Sequence, residues 1–278
     1  MFSRDDVLKR LRECISRGEP IVGAGAGTGI SAKFEERGGA DLILVYNSGR
    51  YRMAGHGSLA GLLAIGDANA VVIEMGEREI LPVVQNTPVI AGVNGTDPTR
   101  LMRRFLRQVE ETGFSGVINF PSHGVIDGKW RQSLEETGFG YDREVAMLAT
   151  AAELGLFTMA YVFNADDARS VTEVGVDVVV AHMGLTIGGT IGAAASSSLT
   201  LDEAATLTEQ IADAARSVRE DIIVLCHGGP LETPDEVAYV VQRTSVVGFI
   251  GASSMERVPI ERPLEEVTRS FKEIRVKP

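Results

Sequence analysis

The chain has 278 residues, of which 44% are hydrophobic and 23% charged, and its formal net charge is −11 at pH 7. No apolar run is long enough to cross a bilayer, so we expect no membrane association. The acidic balance, without a dense lysine or arginine block, argues against a nucleic-acid partner. Only two cysteines occur, outside any CxxC pattern, which argues against a disulfide framework or a zinc ribbon.

The first twenty residues form an amphipathic, partly acidic stretch that lacks the apolar segment of a secretory signal. They predict an N-terminal helix and a cytoplasmic protein. Eight short apolar runs follow, each bounded by Gly, Pro or Asp. They are Pro20 to Gly25, Asp41 to Ser48, Pro88 to Gly95, Gly116 to Ser122, Phe157 to Asn164, Val176 to Gly184, Asp221 to Gly229 and Val246 to Ser254.

Because most of these runs are continuously apolar, they indicate parallel strands that are buried on both faces. Helix-like segments separate them, at Thr99 to Gly113, Leu199 to Glu220 and Thr233 to Thr244. In the second, Thr200 and Glu203 have the spacing of a capping box. Eight such units predict an α/β fold, a single (β/α)8 TIM barrel over residues 1–278. An open doubly wound sheet is the alternative, because it uses the same alternation.

A long insert, Gly49 to Thr87, separates the second and third strands. Inserts of this length form lids, binding loops or contacts between subunits. Its apolar stretches are compatible with a homo-oligomer and equally with helices that pack on the barrel.

The glycine-rich loop Gly23 to Lys33 raises the question of a dinucleotide site, since Gly27, Gly29 and Ala32 fit GxGxxA. Such a site needs an acidic residue at the end of the second strand, where Asn47 and Ser48 stand instead. We therefore expect neither nicotinamide nor flavin. Two interpretations remain, a loop that binds substrate through backbone N–H groups and a loop that only makes a tight turn. The candidate binding residues of this loop are Gly25, Gly27, Thr28 and Gly29.

Polar residues collect at the predicted C-terminal ends of the strands, where TIM barrels build their active sites. The candidates for substrate binding are Asn47, Ser48, Asn94, Asn119, Gly228, Gly229, Gly251, Ser253, Ser254 and Arg257. The candidates for catalysis are His182, His227, Glu74 and His123. All four histidines, including His56 in the insert, fall on this predicted face. The simpler alternative is that these residues cap helices and form turns.

Two loops have the composition of anion sites, at Gly228 and Gly229 and at Gly251 to Arg257. Arg257 fits a bidentate contact to a carboxylate or phosphate, or an ion pair with Glu256 or Glu261. A metal ligand set is not evident, because the acidic candidates Glu74, Asp97 and Asp166 lie on separate segments.

Four stretches resemble the phosphoenolpyruvate hydrolase-like TIM-barrel family: Gly23 to Gly76, Pro88 to Pro98, Gly116 to Gly124 and Gly248 to Glu261. That family is related to the phosphoenolpyruvate mutase and isocitrate lyase superfamily, and the same module forms the C-terminal part of a plant antiviral resistance protein. The resemblance implies an enolpyruvate or α-keto acid substrate and Mg²⁺ as the candidate cofactor. The paired aspartates that organise Mg²⁺ in the superfamily correspond here to a loop in which only Asp97 is acidic.

Two functions follow from these observations. The first is an enzyme that hydrolyses or cleaves a small carboxylated substrate, with or without a phosphoryl group, in which His182 or His227 transfers protons. The second is a module that keeps the barrel and binds a ligand or a protein without catalysis.

Overall fold

Eight parallel strands close into a barrel in chain order, and the last strand pairs with the first. This architecture is seen in a computed structural model that describes residues 1–277. The strands are β1 Ile21–Gly25, β2 Leu42–Val45, β3 Val89–Val93, β4 Gly116–Asn119, β5 Phe157–Val162, β6 Val178–His182, β7 Ile223–His227 and β8 Gly248–Gly251. Each lies within one of the eight apolar runs, so the barrel prediction is confirmed and the open-sheet alternative is wrong.

Helices surround the barrel and connect its strands. They are α1 Arg4–Ser16, α2 Gly29–Arg37, α3 Asn47–Met53, α4 Ala68–Met75, α5 Met102–Thr112, α6 Gly128–Glu136, α7 Asp142–Glu153, α8 Ala165–Glu173, α9 Leu201–Val218, α10 Pro234–Val241 and α11 Val258–Lys272. The three helices predicted between strands correspond to α5, α9 and α10, and the capping box of Thr200 and Glu203 is present. Within residues 1–277, no helix has the length and apolar character that a membrane crossing requires.

The strands are buried on both faces because one set of side chains fills the barrel and the other packs under the helices. In β2, Leu42 and Leu44 belong to the interior cluster, whereas Ile43 and Val45 belong to the layer between barrel and helices. Helix α1 adds Val7, Leu11 and Cys14 to the interior cluster. Since Arg4 of α1 pairs with Asp177 at the start of β6, α1 covers the N-terminal end of the barrel. Helix α1 does not cover the C-terminal end of the barrel, which is therefore available for a functional site.

The glycine-rich loop after β1 packs against the insert. A Cβ on Gly27 would lie 2.3 Å from the carbonyl oxygen of Gly49, and one on Gly29 would lie 2.4 Å from that of Glu79. The Thr28 side chain caps α2 by accepting the N–H of Ser31. Glycine is therefore required here by the close approach of backbone segments. The insert itself folds into α3, a 3-10 turn (Ser58–Leu62), α4 and a π-helical turn (Gly76–Ile80).

Candidate active site

A cavity of about 320 Å³ lies at the C-terminal ends of the strands. Half of its lining residues are aromatic or aliphatic, and hydroxyl, imidazole and guanidinium groups supply the polar part. The lining residues are Tyr46, Ser48, Arg52, Ser58, Leu59, Leu62, Phe120, Gly124, Val125, Tyr161, Phe163, His182, Gly184, Leu185, Thr186, His227, Ala252 and Ser253. Four of them, Arg52, Ser58, Leu59 and Leu62, come from the insert, which therefore forms part of the wall. An enclosure of this size suits a small molecule.

Two histidines stand side by side in this cavity, at the ends of β6 and β7. The ring centroids of His182 and His227 are 4.6 Å apart. His227 Nδ1 lies 2.6 Å from the carbonyl oxygen of Ile250, so this nitrogen carries the hydrogen and Nε2 is an acceptor. His182 Nδ1 accepts the N–H of Gly184 at 3.0 Å, which places its hydrogen on Nε2. The neutral pair thus offers one acceptor and one donor.

The surroundings keep both rings neutral. Burial lowers the pKa of His227 to about 4. Burial, followed by the charge of His227, lowers the pKa of His182 well below its ordinary value. The ring of Tyr161 packs at 5.0 Å from both. At neutral pH one imidazole therefore presents an unprotonated nitrogen that can take a proton, while the other presents an N–H hydrogen-bond donor.

Two tyrosines form a second polar pair in the wall. The hydroxyl oxygens of Tyr46 and Tyr161 are 2.7 Å apart. Burial raises the pKa of both phenols, so they remain protonated at neutral pH. Since only one hydrogen is used within the pair, the other is available to a ligand. A neutral donor of this kind stabilises an oxygen on which negative charge develops.

An ion pair lies at the edge of the cavity. Arg52 of α3 is 2% exposed and Glu256, after β8, is also 2% exposed. Arg52 Nε donates to Glu256 Oε2 at 2.9 Å, Nη2 lies 2.7 Å from the same oxygen, and Nη2 donates to the carbonyl oxygen of Gly25 at 3.2 Å. The other carboxylate oxygen of Glu256 accepts the N–H of Gly27 at 2.5 Å. The glycine loop is thus tied to the ion pair.

Of the residues proposed from the sequence for substrate binding, Ser48 and Ser253 line the cavity. Gly25 and Gly27 lie next to it and bind Arg52 and Glu256, whereas Thr28 and Gly29 begin α2. Asn47 begins α3, and its Nδ2 donates to the carbonyl oxygen of Gly61.

The loops after β7 and β8 are held mainly by contacts within the protein. The N–H of Gly229 donates to the carbonyl oxygen of Gly184, and a Cβ on Gly228 would lie 2.3 Å from that same oxygen. Gly251 ends β8. Arg257 pairs with Glu261 and also donates to the carbonyl oxygen of Gly188, one of the alternatives that the sequence left open. Ser254 Oγ is buried without a partner among residues 1–277.

A separate buried network lies beside the cavity around Glu144 of α7. This carboxylate accepts hydrogen bonds from Asn119 Nδ2, Ser122 Oγ and the N–H of His123, each at 2.7 Å. Burial raises its pKa to about 7. His123 Nδ1 lies 2.7 Å from the carbonyl oxygen of Phe139. Asn119 and His123 are therefore engaged with the protein, while the neighbouring Gly124 reaches the cavity.

Asn94 lies outside the cavity lining as well. Its N–H donates to Asn69 Oδ1, and its own Oδ1 accepts from Thr96. Of the two remaining histidine candidates on this face, His123 is partly buried and His56 is exposed. The structure thus brings together two of the four histidines.

The residues present do not fit a magnesium ion in the cavity. Asp97 oxygens accept from Thr99, Asn69 and Arg100, and Glu74 pairs with Arg50. Asp166 pairs with Arg169. Neither Asp97 nor Glu74 lines the cavity, and residues 1–277 contain no group of three His, Cys, Asp or Glu placed to hold a metal. Because Mg²⁺ requires several oxygen ligands, the cavity lining lacks the groups to hold it.

Arg52, Tyr161 and Glu256 are among the site residues that were not candidates from the sequence. The signal for Arg52 was its position four residues after Ser48, since that spacing places both on one helical face. Because glycine disfavours a helix, the glycines near Arg52 made this helix difficult to predict from the sequence. Tyr161 sits in an apolar strand, where a tyrosine looks like ordinary core.

The comparisons with known proteins agree with the fold. Residues 6–274 match the family described as "Phosphoenolpyruvate hydrolase-like". A tomato (Solanum lycopersicum) protein, "ToMV susceptible protein tm-1(GCR26)", is 56% identical over 269 residues, which are 96% of this chain and 35% of that protein. The chain therefore spans about a third of the length of this relative.

Solved structures resemble the barrel at low sequence identity. Oxaloacetate acetylhydrolase has a TM-score of 0.62 at 17% identity, over 98% of this chain and 89% of that one. A phosphonopyruvate hydrolase in complex with oxalate and Mg²⁺ has a TM-score of 0.60 at 16% identity, over 96% of this chain and 87% of that one. At these identities the likeness shows a shared fold.

Proposed function

The chain belongs to the phosphoenolpyruvate hydrolase-like family, and we propose that it is an enzyme that hydrolyses or cleaves a small carboxylic acid of the enolpyruvate or α-keto acid type. The observation that carries this proposal is the His182–His227 pair, in which one neutral imidazole has an unprotonated Nε2 and the other has an Nε2–H donor. Such a pair, enclosed by aromatic side chains at the end of a barrel, is suited to general acid–base catalysis.

The cavity supplies the groups that proton transfer next to a carbonyl requires. His227 Nε2 takes a proton from the carbon beside the carbonyl group, and the electrons of that C–H bond move onto the carbonyl oxygen. A hydroxyl of the Tyr46–Tyr161 pair donates to this oxygen as it becomes negative. The protonated His227 then returns the proton to the product, while His182 Nε2–H remains a hydrogen-bond donor to the substrate. The hydroxyls of Ser48 and Ser253 are additional donors for the substrate.

Hydrogen exchange in D₂O tests the histidine roles directly. The purified protein is incubated with pyruvate, oxaloacetate, phosphoenolpyruvate and longer 2-oxo acids, and exchange and product are followed by proton NMR. We expect His227→Gln and His182→Gln each to lower the rate by roughly 10²- to 10⁴-fold. His56→Gln, which changes an exposed histidine outside the cavity, is the control and keeps the wild-type rate. Wild-type rates in both cavity variants would refute the assignment.

A binding module without catalysis is the second candidate. The observation that favours it is that the chain corresponds to about a third of its tomato relative, as expected of a domain fused to others. In that case a small acid raises the melting temperature of the protein but stays chemically unchanged. The same NMR samples therefore distinguish the two functions.

We also infer that the chain forms a homo-oligomer. Helix α11 has no buried residue, and its exposed Ile260 and Leu264 line one groove together with the exposed Ile30 and Phe34 of α2. A contiguous apolar surface of this kind indicates a contact with another chain. Light scattering coupled to gel filtration should give at least the dimer mass, and Phe34→Ser with Leu264→Ser should reduce it. A monomeric wild-type protein would refute the inference.

A further inference from the structure

We propose that Arg52 binds the carboxylate of the substrate and that the cavity takes a 2-oxo acid with a single negative charge and an apolar side chain, without a magnesium ion. This inference rests on the proposed function, because it names the substrate class of the same site.

The first argument is the state of the Arg52 guanidinium. Its Nε and Nη2 are held by Glu256 and by the carbonyl oxygen of Gly25, so the group is fixed in place. Nη1 makes no hydrogen bond to any of residues 1–277, although the side chain lines the cavity. Because an arginine has five N–H donors and only Nε and Nη2 bind the protein, the N–H groups of Nη1 are available to an acceptor on a ligand in the cavity. A carboxylate is the acceptor that a guanidinium binds most strongly.

The second argument is the charge of the cavity. Arg52 is the only lysine or arginine in the lining, and no aspartate or glutamate lines the cavity. Both histidines are neutral at pH 7, since burial lowers the pKa values of His227 and His182. The lining therefore provides one guanidinium to bind one carboxylate, and a phosphate group on the same ligand would have no cation of its own. The absence of acidic lining residues removes the oxygen ligands by which Mg²⁺ would supply the missing positive charge.

The third argument is the rest of the wall. Leu59, Leu62, Val125, Leu185 and Phe163 face the same space, and burying them against an apolar side chain is favourable. The Tyr46–Tyr161 hydroxyl pair has one hydrogen that can be donated to the keto oxygen. A branched 2-oxo acid therefore has a partner for each part: Arg52 for the carboxylate, the tyrosines for the carbonyl, and the aliphatic residues for the chain.

Calorimetric titration with 4-methyl-2-oxopentanoate is the test, with phosphoenolpyruvate and the amide of the same oxo acid as comparison ligands. The 2-oxo acid should bind with the same Kd in EDTA and in Mg²⁺. The amide and phosphoenolpyruvate should each bind at least about tenfold more weakly, because a hydrogen bond to a charged partner contributes roughly that much. Arg52→Lys keeps a cation for Glu256 but loses the planar donor, and it should weaken binding about 10- to 100-fold.

Arg50→Lys is the matched control, because Arg50 lies on the same helix and pairs with Glu74 and Glu79 outside the cavity. Where Arg52→Lys unfolds, the double variant Arg52→Met with Glu256→Gln removes both charges and should abolish the preference for the acid over its amide. The proposal is overturned if the wild type does not bind the 2-oxo acid, if phosphoenolpyruvate with Mg²⁺ binds more tightly, or if the Arg52 variants bind normally. Binding without exchange or turnover would refute the proposed function and leave this inference standing.

Discussion

Glu35 of α2 provides a test of buried charge in this fold. Both of its carboxylate oxygens are buried and have no hydrogen-bond partner in residues 1–277. It lines an apolar groove of about 890 Å³ between α2 and α11. Burial, with the negative charge of Glu256 as the second cause, raises its pKa from 4.5 to about 8, and the charge of Arg52 opposes this shift. The native protein therefore holds Glu35 neutral at pH 7, whereas the unfolded chain ionises it.

This difference links folding stability to pH with a definite sign. Below pH 4.5 the carboxyl of Glu35 is protonated in both the native and the unfolded state, so it does not reduce the free energy of unfolding. Between pH 4.5 and 8 only the unfolded state loses the proton, so stability falls by about 1.4 kcal/mol per pH unit. Glu35→Gln keeps a neutral group and removes this loss. We expect the variant to be more stable than the wild type by about 2 kcal/mol at pH 6 and by about 5 kcal/mol at pH 8.5.

Urea denaturation at these two pH values measures the effect, and both lie above the isoelectric point of about 5.0. Glu111→Gln is the control, because this glutamate of α5 is exposed, and the variant should differ in stability from the wild type by the same small amount at both pH values. A stability difference between Glu35→Gln and wild type that does not grow with pH would show that Glu35 titrates as in the unfolded chain, and the reasoning would fail.

Three further perturbations have expected outcomes. Gly27→Ala should destabilise the protein by roughly 2 kcal/mol or more, since the added Cβ meets backbone, whereas Gly57→Ala, with open space around it, should change the melting temperature little. Thr200→Ala removes the capping box of α9 and should cost about 1 kcal/mol in urea denaturation, and a loss below a few tenths would contradict the capping role. The thiol of Cys226 is buried and its pKa is raised to about 12, so Ellman's reagent should modify it only after unfolding, and rapid native labelling would contradict its burial.

The strands and the closed barrel could be predicted from the sequence because a strand buried on both faces is a continuous apolar run. β2 illustrates this, as all four of its residues are buried. The ends were less accurate, since the predicted runs included residues such as Asn47 and Ser48 that begin helix α3. Polar residues that follow a strand and cap a helix have the same composition as a loop.

The polar interior could not be predicted in the same way. Arg52 and Glu256 are 204 residues apart and become partners only when β8 closes the barrel. In the sequence, each of these two residues is expected to be exposed, because burying an unpaired charge is unfavourable. The local sequence around one of them gives no indication of the other. Glu144 on α7 is similar: its three donors come from the end of β4 and the turn after it. The histidines were found because strand ends are recognisable locally.

The ion pair between Arg52 and Glu256 also determines at which stage of synthesis and folding the cavity can form. Arg52 follows β2, its partner follows β8, and Gly27 after β1 is joined to the same carboxylate. A nascent chain that has emerged from the ribosome only as far as β7 contains Arg52 but not Glu256. Its barrel cannot close, because β1 pairs with β8. The cavity therefore forms only after β8 has been synthesised, and a small acid that binds there, added to translating ribosomes, would stabilise only chains whose eighth strand has docked.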